Sequence, residues 1–310
     1  MKEIESVLVV GAGAIGAIVA VTIHRALPGA VRILAGDDRA RRLQDGGVLL
    51  NGERCDIPVA LCAGMVAAKD QPDLIVVAVK NHQLGRAIDD MRPYIGADTL
   101  IVSLMNGIGS EVDLTAAFGT GHVLHAMIIA IDAVREGNAT TFTQAGIINF
   151  GEVTNEPGAH SERVGRIERF FDRAGLRYEV PRNMVRTMWY KYMINVGINQ
   201  VSAILRASYR VFQTVPEARR VMDAAMLELI SISAALGTGL VGADLKSWYK
   251  TLDLLSPDGK TSMLQDVEAR RKTEVELFSG TVIRLGLETG VPTPVNQLLF
   301  DLIRAIEQSY

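Results

Sequence analysis

The sequence predicts a chain in two parts: an α/β domain built on a doubly wound parallel sheet, then an all-helical domain. Short continuous apolar runs alternate with amphipathic stretches until near Pro181, and a glycine-rich turn follows the first of those runs at once. From Asn183 helical periodicity takes over, with Gly and Pro gathered in loops such as Ser256–Lys260 and Gly290–Pro294. The parts are therefore residues 1–181 and 182–310.

Taken in order, Val7–Val10, Val31–Ala35, Leu74–Val79, Leu100–Leu104 and Val123–Ile131 read as strands. They are uninterrupted and rich in β-branched residues, as strands covered on both faces should be. Ile15–Ala26 and Gln83–Met91 read as helices between them. Such alternation implies crossover connections and a mostly parallel sheet. Residues 139–154 read as a late strand pair. No internal repeat or low-complexity tract interrupts the chain.

At 310 residues there is length for two separate cores, on a prior of about 100–200 residues each. A net charge of −3 gives no reason to expect a nucleic-acid partner. The first residues carry acidic groups and lack the sections of a signal peptide. The apolar stretch Met226–Val241 is broken by Glu228 and several Gly and Ser residues, so it reads as a buried helix and no membrane span is expected. Cys55 and Cys62 are the only cysteines, which points to a reducing cytoplasm more than to a disulfide. The five histidines show no ligand spacing, and no metal site is expected.

Gly11-Ala12-Gly13-Ala14-Ile15-Gly16 directly follows the first strand and opens a helix. Gly11 suits the tight turn, Gly13 lets backbone approach a pyrophosphate, and Gly16 lets helix and strand pack closely. The free N–H groups of the helix start, with their partial positive charge, favour the phosphates. The context is that of a Rossmann-like dinucleotide site; the plainer alternative is a glycine turn that binds nothing. Gly36-Asp37, Lys80 and Asn106-Gly107 lie just beyond other strand ends, where open parallel sheets bind ligands.

In the helical part, Lys191, Asn195 and Asn199 fall at i, i+4 and i+8 in an otherwise apolar stretch. On a regular helix that spacing drifts about 40° per step and spans about 12 Å, keeping all three on one face. The face is either solvated or functional. Two amides amid Met193, Ile194, Val196 and Ile198 favour function. A desolvated lysine, its pKa drawn to about 7–8, is a good proton donor, and asparagines suit a substrate bearing hydroxyl and carbonyl groups.

These residues, with the segment Thr261-Ser262-Met263-Leu264-Gln265-Asp266 and Thr273-Glu274, resemble the ketopantoate reductase (2-dehydropantoate 2-reductase) family over nearly the whole chain. The resemblance implies NADPH-dependent reduction of 2-dehydropantoate, a 2-keto acid, to pantoate in pantothenate biosynthesis. Lys191 would be the proton donor. Asn106, Asn195, Asn199 and Ser262 would hold substrate; the glycine loop, Lys80, Asn106, Ala133 and Glu274 would hold the cofactor. A homodimer is the commonest assembly of soluble enzymes and is the expectation here.

Bland readings stand beside these. Ser262 and Gln265 form an S-x-x-Q capping box that could merely start a helix. On one straight helix Ser262 and Glu274 would lie about 18 Å apart, so the helix breaks after Asp266 or the two serve different ligands.

The chain also departs from the family. Gly36 stands where an arginine usually meets the cofactor's 2′-phosphate, followed by Asp37 and Asp38. NADP(H) is favoured, with Arg39, Arg41 and Arg42 within reach, yet an acid there suits NAD(H). Gln200 replaces a frequent proline, Tyr209 an asparagine, and Ile128–Ile131 a polar stretch, which makes the pocket more apolar. A reductase of another bulky 2-keto acid, or a non-catalytic NADP(H)-binding regulator, are the alternatives.

Overall fold

The computed structural model describes residues 2–62, 66–137 and 139–310. Two compact units result, Met1–Met184 and Val185–Tyr310.

The first unit contains strands β1 Val7–Val10, β2 Val31–Ala35, β3 Val48–Leu50, β4 Glu53–Cys55, β5 Val59–Leu61, β6 Leu74–Val77, β7 Leu100–Ser103, β8 Val123–Ile131, β9 Val134–Glu136, β10 Ala139–Thr141, β11 Ala145–Gly151 and β12 Tyr178–Glu179. Its helices are α1 Ala14–Ala26, α2 Asp37–Gly46, α3 Leu84–Met91, α4 Ser110–Phe118 and α5 Glu162–Ala174. The main sheet has the order β12-β11-β8-β7-β6-β1-β2-β5. The fully buried β1 pairs in parallel with β2 (Val7 opposite Val31) and with β6 (Val7 opposite Leu74). The chain thus runs outward through β2 and β5, then returns to the other side of β1. That reversal opens the crevice at which such sheets bind ligands.

The strands at 139–151 do not pair with each other. β10 joins a second sheet of order β4-β3-β10-β9, while β11 runs antiparallel to β8. Asp132 turns the chain between them by accepting the amides of Thr143 and Gln144, each at 2.8 Å. Alternating polarity marks a strand but not its partner, so the pairing was not legible. The small strands β3 to β5 and the helix α5 were likewise missed.

Asp73 ties the edge of β6 to the chain start. Its carboxylate accepts from the amides of Glu5 (2.9 Å) and Ser6 (3.0 Å) and lies 3.1 Å from Lys2. Burial pushes its pKa up, but these bonds outweigh burial and the net shift is downward.

The second unit is helical: α6 Met184–Ile194 (begun by the last residue of the first unit), α7 Gln200–Leu205, α8 Tyr209–Thr214, α9 Pro216–Leu236, α10 Ala243–Leu252, α11 Ser262–Glu268, α12 Thr281–Thr289 and α13 Pro294–Glu307. Two π turns, Asn195–Asn199 and Glu276–Gly280, interrupt it. Met222, Met226 and Leu229 of α9 lie in its core, and Glu228 accepts the amides of Val295 and Asn296 at the start of α13. Among the described residues no helix is long and apolar enough to cross a membrane.

Candidate active site

The glycine loop owes its shape to what its residues lack. Gly11 has φ +97°, and a Cβ there would lie 2.6 Å from the Ala78 carbonyl oxygen. A Cβ on Gly16 would lie 1.9 Å from the carbonyl oxygen of Gly11. Neither position admits a side chain, and the result is a close packing of α1 on the turn. Gly13 is the N-cap of α1 with no side chain to cap the amides, and Ala14 and Ile15 begin a first turn that carries no acid. Its N–H groups are therefore available to an anion.

The structure gathers the first-unit candidates on one edge. Gly11, Gly36, Lys80, Asn106 and Ala133 follow the carboxyl ends of β1, β2, β6, β7 and β8, which are successive parallel neighbours. Lys80 is exposed, and its amide donates to Gln83 Oε1 at 3.2 Å, fixing the turn after β6. Asn106 and Ala133 are half-buried.

Two arginines converge on the loop. Arg39 Nη2 donates to the Ala12 carbonyl at 2.9 Å, and Arg135 Nη1 donates to the same oxygen. Both are half-buried, and among the described residues neither makes an ion pair with a carboxylate. Burial, then the charge of Arg42, lowers the pKa of Arg39; burial, then Arg39, lowers that of Arg135. Guanidiniums keep their proton regardless. Two like charges held together beside a carbonyl form a seat for an anion. Asp37 and Asp38 are exposed in the first turn of α2, and Asp38 lies 3.7 Å from Arg41. Arg135 escaped the sequence reading because it lies 123 positions from Ala12.

In the second unit the Lys191 stretch is not a regular helix. α6 ends at Ile194 and a π turn carries Asn195 through Asn199. The α step from Lys191 to Asn195 overshoots a full turn by about 40°. A π turn is wider, so the same four-residue step to Asn199 falls short. The deviations offset, and Asn199 returns toward the line of Lys191. Thr187, Tyr190, Lys191, Ile194 and Asn195 form one half-buried stripe, while Asn199 is only 6% exposed. Such partial burial fits a ligand-facing surface better than a solvated one.

Ser262 is not the cap of its helix. Thr261 is, accepting the Leu264 amide at 3.2 Å, while Ser262 is exposed as the first residue of α11. The helix also stops at Glu268, followed by Arg270 at φ +51° and irregular backbone. Ser262 and the half-buried Glu274 are therefore not on one straight helix, and the expected break falls two residues after Asp266. Tyr209 packs its ring on the 256–260 loop, where a Cβ on Gly259 would lie 2.9 Å from its Cδ2.

Two family profiles match the chain, "Ketopantoate reductase PanE/ApbA" over residues 7–155 and "Ketopantoate reductase PanE/ApbA C terminal" over residues 183–307. The chain belongs to the ketopantoate reductase family. It is an oxidoreductase of the type that acts on a CH–OH group. Among relatives, the 2-dehydropantoate 2-reductase of Aquifex aeolicus is 25% identical, over 97% of this chain and 96% of that one. The solved 2-dehydropantoate 2-reductase of Methylococcus capsulatus superposes with a TM-score of 0.80 at 24% identity, covering 98% of this chain and 97% of the other. A ternary structure of D-mandelate dehydrogenase with NADH and anilino(oxo)acetate gives 0.86 at 22% identity, covering 98% of both chains. Family membership supports a nicotinamide-dinucleotide cofactor.

Proposed function

We propose that the protein reduces 2-dehydropantoate to pantoate with NADPH, with Lys191 as proton donor. The observation that carries this reading is the half-buried stripe holding Lys191 and Asn195 and leading into the π turn that ends at Asn199. A bound nicotinamide supplies the hydride to the C2 carbonyl carbon. The Lys191 ammonium gives its proton to the carbonyl oxygen as that oxygen gains charge, and recovers one from solvent. Asn195, Asn199 and Ser262 bind the substrate's carboxylate and hydroxyl groups; Asn106 serves both ligands.

Gly11 to Gly16, Lys80, Asn106, Ala133 and Glu274 hold the cofactor. Arg39 and Arg135 favour NADP(H) over NAD(H), because a phosphate monoester would neutralise two charges that have no carboxylate of their own. The free thiols of Cys55 and Cys62 support a reducing cytoplasm, and a homodimer remains the expected assembly.

The test follows consumption of reduced cofactor with 2-dehydropantoate, using NADPH and NADH in parallel. Turnover that prefers NADPH and falls by about 10²–10⁴ in Lys191→Ala is expected. Equal turnover in the variant would remove Lys191 from the chemistry.

A second reading is a bulkier, aryl-bearing 2-keto acid. It rests on half-buried Ile129 and Ile131 and exposed Ala130 at φ +51°, which form an apolar end to β8 where the family carries polar residues. Faster turnover of phenylglyoxylate than of 2-dehydropantoate would select it.

A further inference from the structure

The two π turns of the second unit are locked to each other. An α-helix is the cheaper local choice, and a π turn persists only where something holds it. Each turn widens the bonding from i→i+4 to i→i+5 and leaves carbonyls that need other donors. Side chains supply them here. Gln200 Nε2 donates to the Val196 carbonyl within the first turn at 2.7 Å. The Tyr192 hydroxyl reaches two carbonyls of the second turn, Leu277 at 2.9 Å and Phe278 at 2.7 Å. Ser279, also in the second turn, donates to Gln200 Oε1. Asn296 anchors the far side: its Oδ1 lies 3.1 Å from Ser279 Oγ, and its Nδ2 donates to the Ala225 carbonyl and to Glu228. Tyr192, Gln200, Ser279 and Asn296 are all buried to within about one per cent.

The positions of the two clamping residues matter as much as their bonds. Tyr192 immediately follows Lys191, and Gln200 immediately follows Asn199. Together they bracket the segment that carries Asn195 and Asn199, and Tyr192 adjoins Lys191 at its start. The second turn begins two residues after Glu274. If the first turn reverted to α-helix, the residues beyond it would rotate by about 100° relative to Lys191. Asn199 would then sit about 80° from the lysine's line, at the edge of the shared face and no longer directly along it.

We propose that Tyr192 and Gln200 are positioning residues for the reduction, setting the register of Lys191, Asn195 and Asn199 against the segment that starts at Glu274. This rests on the functional reading above. It also gives Gln200 a purpose where the family often has proline: its side chain caps the widened turn and grips the neighbouring one.

Tyr192→Phe and Gln200→Met each remove the polar grip while keeping most of the volume, and Ser279→Ala cuts the link between turns. Each variant is assayed for melting temperature, for kcat and KM, for the pH dependence of kcat, and for the dissociation constant of pantoate by calorimetry. The expected result is a loss of about 10- to 100-fold in kcat, the cost of a displacement on the order of 1 Å. Pantoate should bind several-fold more weakly. The high-pH limb of kcat should move as the surroundings of Lys191 change. Variants that melt lower but keep the parental kcat, pantoate affinity and high-pH limb would show a purely structural network and overturn the proposal. Should Tyr192→Phe not fold, Gln200→Met and Ser279→Ala decide it. Failure of the functional reading has a different signature: the parent protein itself would show no Lys191-dependent turnover of any 2-keto acid.

Discussion

The glycine loop after β1 and the segment Lys191–Asn199 are the two candidate ligand-binding regions, and they are built by opposite means. In the loop, side chains are left out: Gly11 and Gly16 press backbone on backbone, and no side chain caps the first amides of α1. In the helical segment, side chains are put in: Tyr192 and Gln200 fill a buried polar network that supports a distorted turn. The first half should therefore break when an atom is added, and the second when one is removed.

The largest effect is expected at Gly16. Gly16→Ala places a methyl 1.9 Å from the Gly11 carbonyl oxygen, which is backbone and cannot swing aside. A cost at the top of the range of about 1–3 kcal/mol for overpacking should follow, with cofactor binding lost. Cofactor titration by fluorescence and urea unfolding read the two parts. Parental affinity would mean that the loop tolerates added atoms, and the contrast would collapse.

Asn199→Ala tests the opposite half. Removing the side-chain amide of a residue only 6% exposed should cost about 1–3 kcal/mol of binding, roughly 5- to 150-fold in KM for the keto acid. Cofactor affinity should stay the same. A parental KM would take Asn199 out of the substrate site.

The arginine pair sharpens the comparison, since it is a side-chain device attached to the loop. Arg39→Ala and Arg135→Ala should each weaken NADPH by about tenfold, from the charge-assisted bonds lost, and leave NADH nearly unchanged. Neither should melt much lower, because each removal relieves repulsion between two unneutralised cations. If NADPH and NADH weaken equally, the pair binds the pyrophosphate and does not discriminate.

The smallest effect concerns the scaffold beneath the loop. Asp73 titrates below its unfolded value because hydrogen bonds outweigh burial. A depressed carboxylate stabilises the fold above its unfolded pKa, about 3.9, and that contribution fades as pH falls through the folded value. Asp73→Asn should thus cost about 1–2 kcal/mol near neutral pH, with the difference from the parent shrinking below about pH 4. A constant difference across the whole range would show that charge plays no part.

Legibility in the sequence followed the same division. Strands β1, β2 and β8 appear at their expected bounds, and β6 and β7 end slightly early, because continuous β-branched runs flanked by turns have few other solutions. The glycine spacing was readable because only glycine tolerates the contacts it makes. The Lys191, Asn195 and Asn199 spacing was visible, but the π turn beneath it was not. Periodicity near 3.6 cannot register one widened turn, and the donors that sustain it come from residues far along the chain. Thr261 was passed over as the cap of α11 because Ser262 offered an equally good pattern one residue later.

By itself, then, the sequence determined the alternating parallel sheet, the backbone-lined loop and the polar positions of the helical half, all of which follow from local pattern and steric exclusion. The tertiary structure alone decided which side chains meet them. Arg135 reaches Ala12 across 123 positions, and Ser279 reaches Gln200 across 79. Such contacts depend on how elements pack, and a local pattern holds no record of the partner that packing will bring.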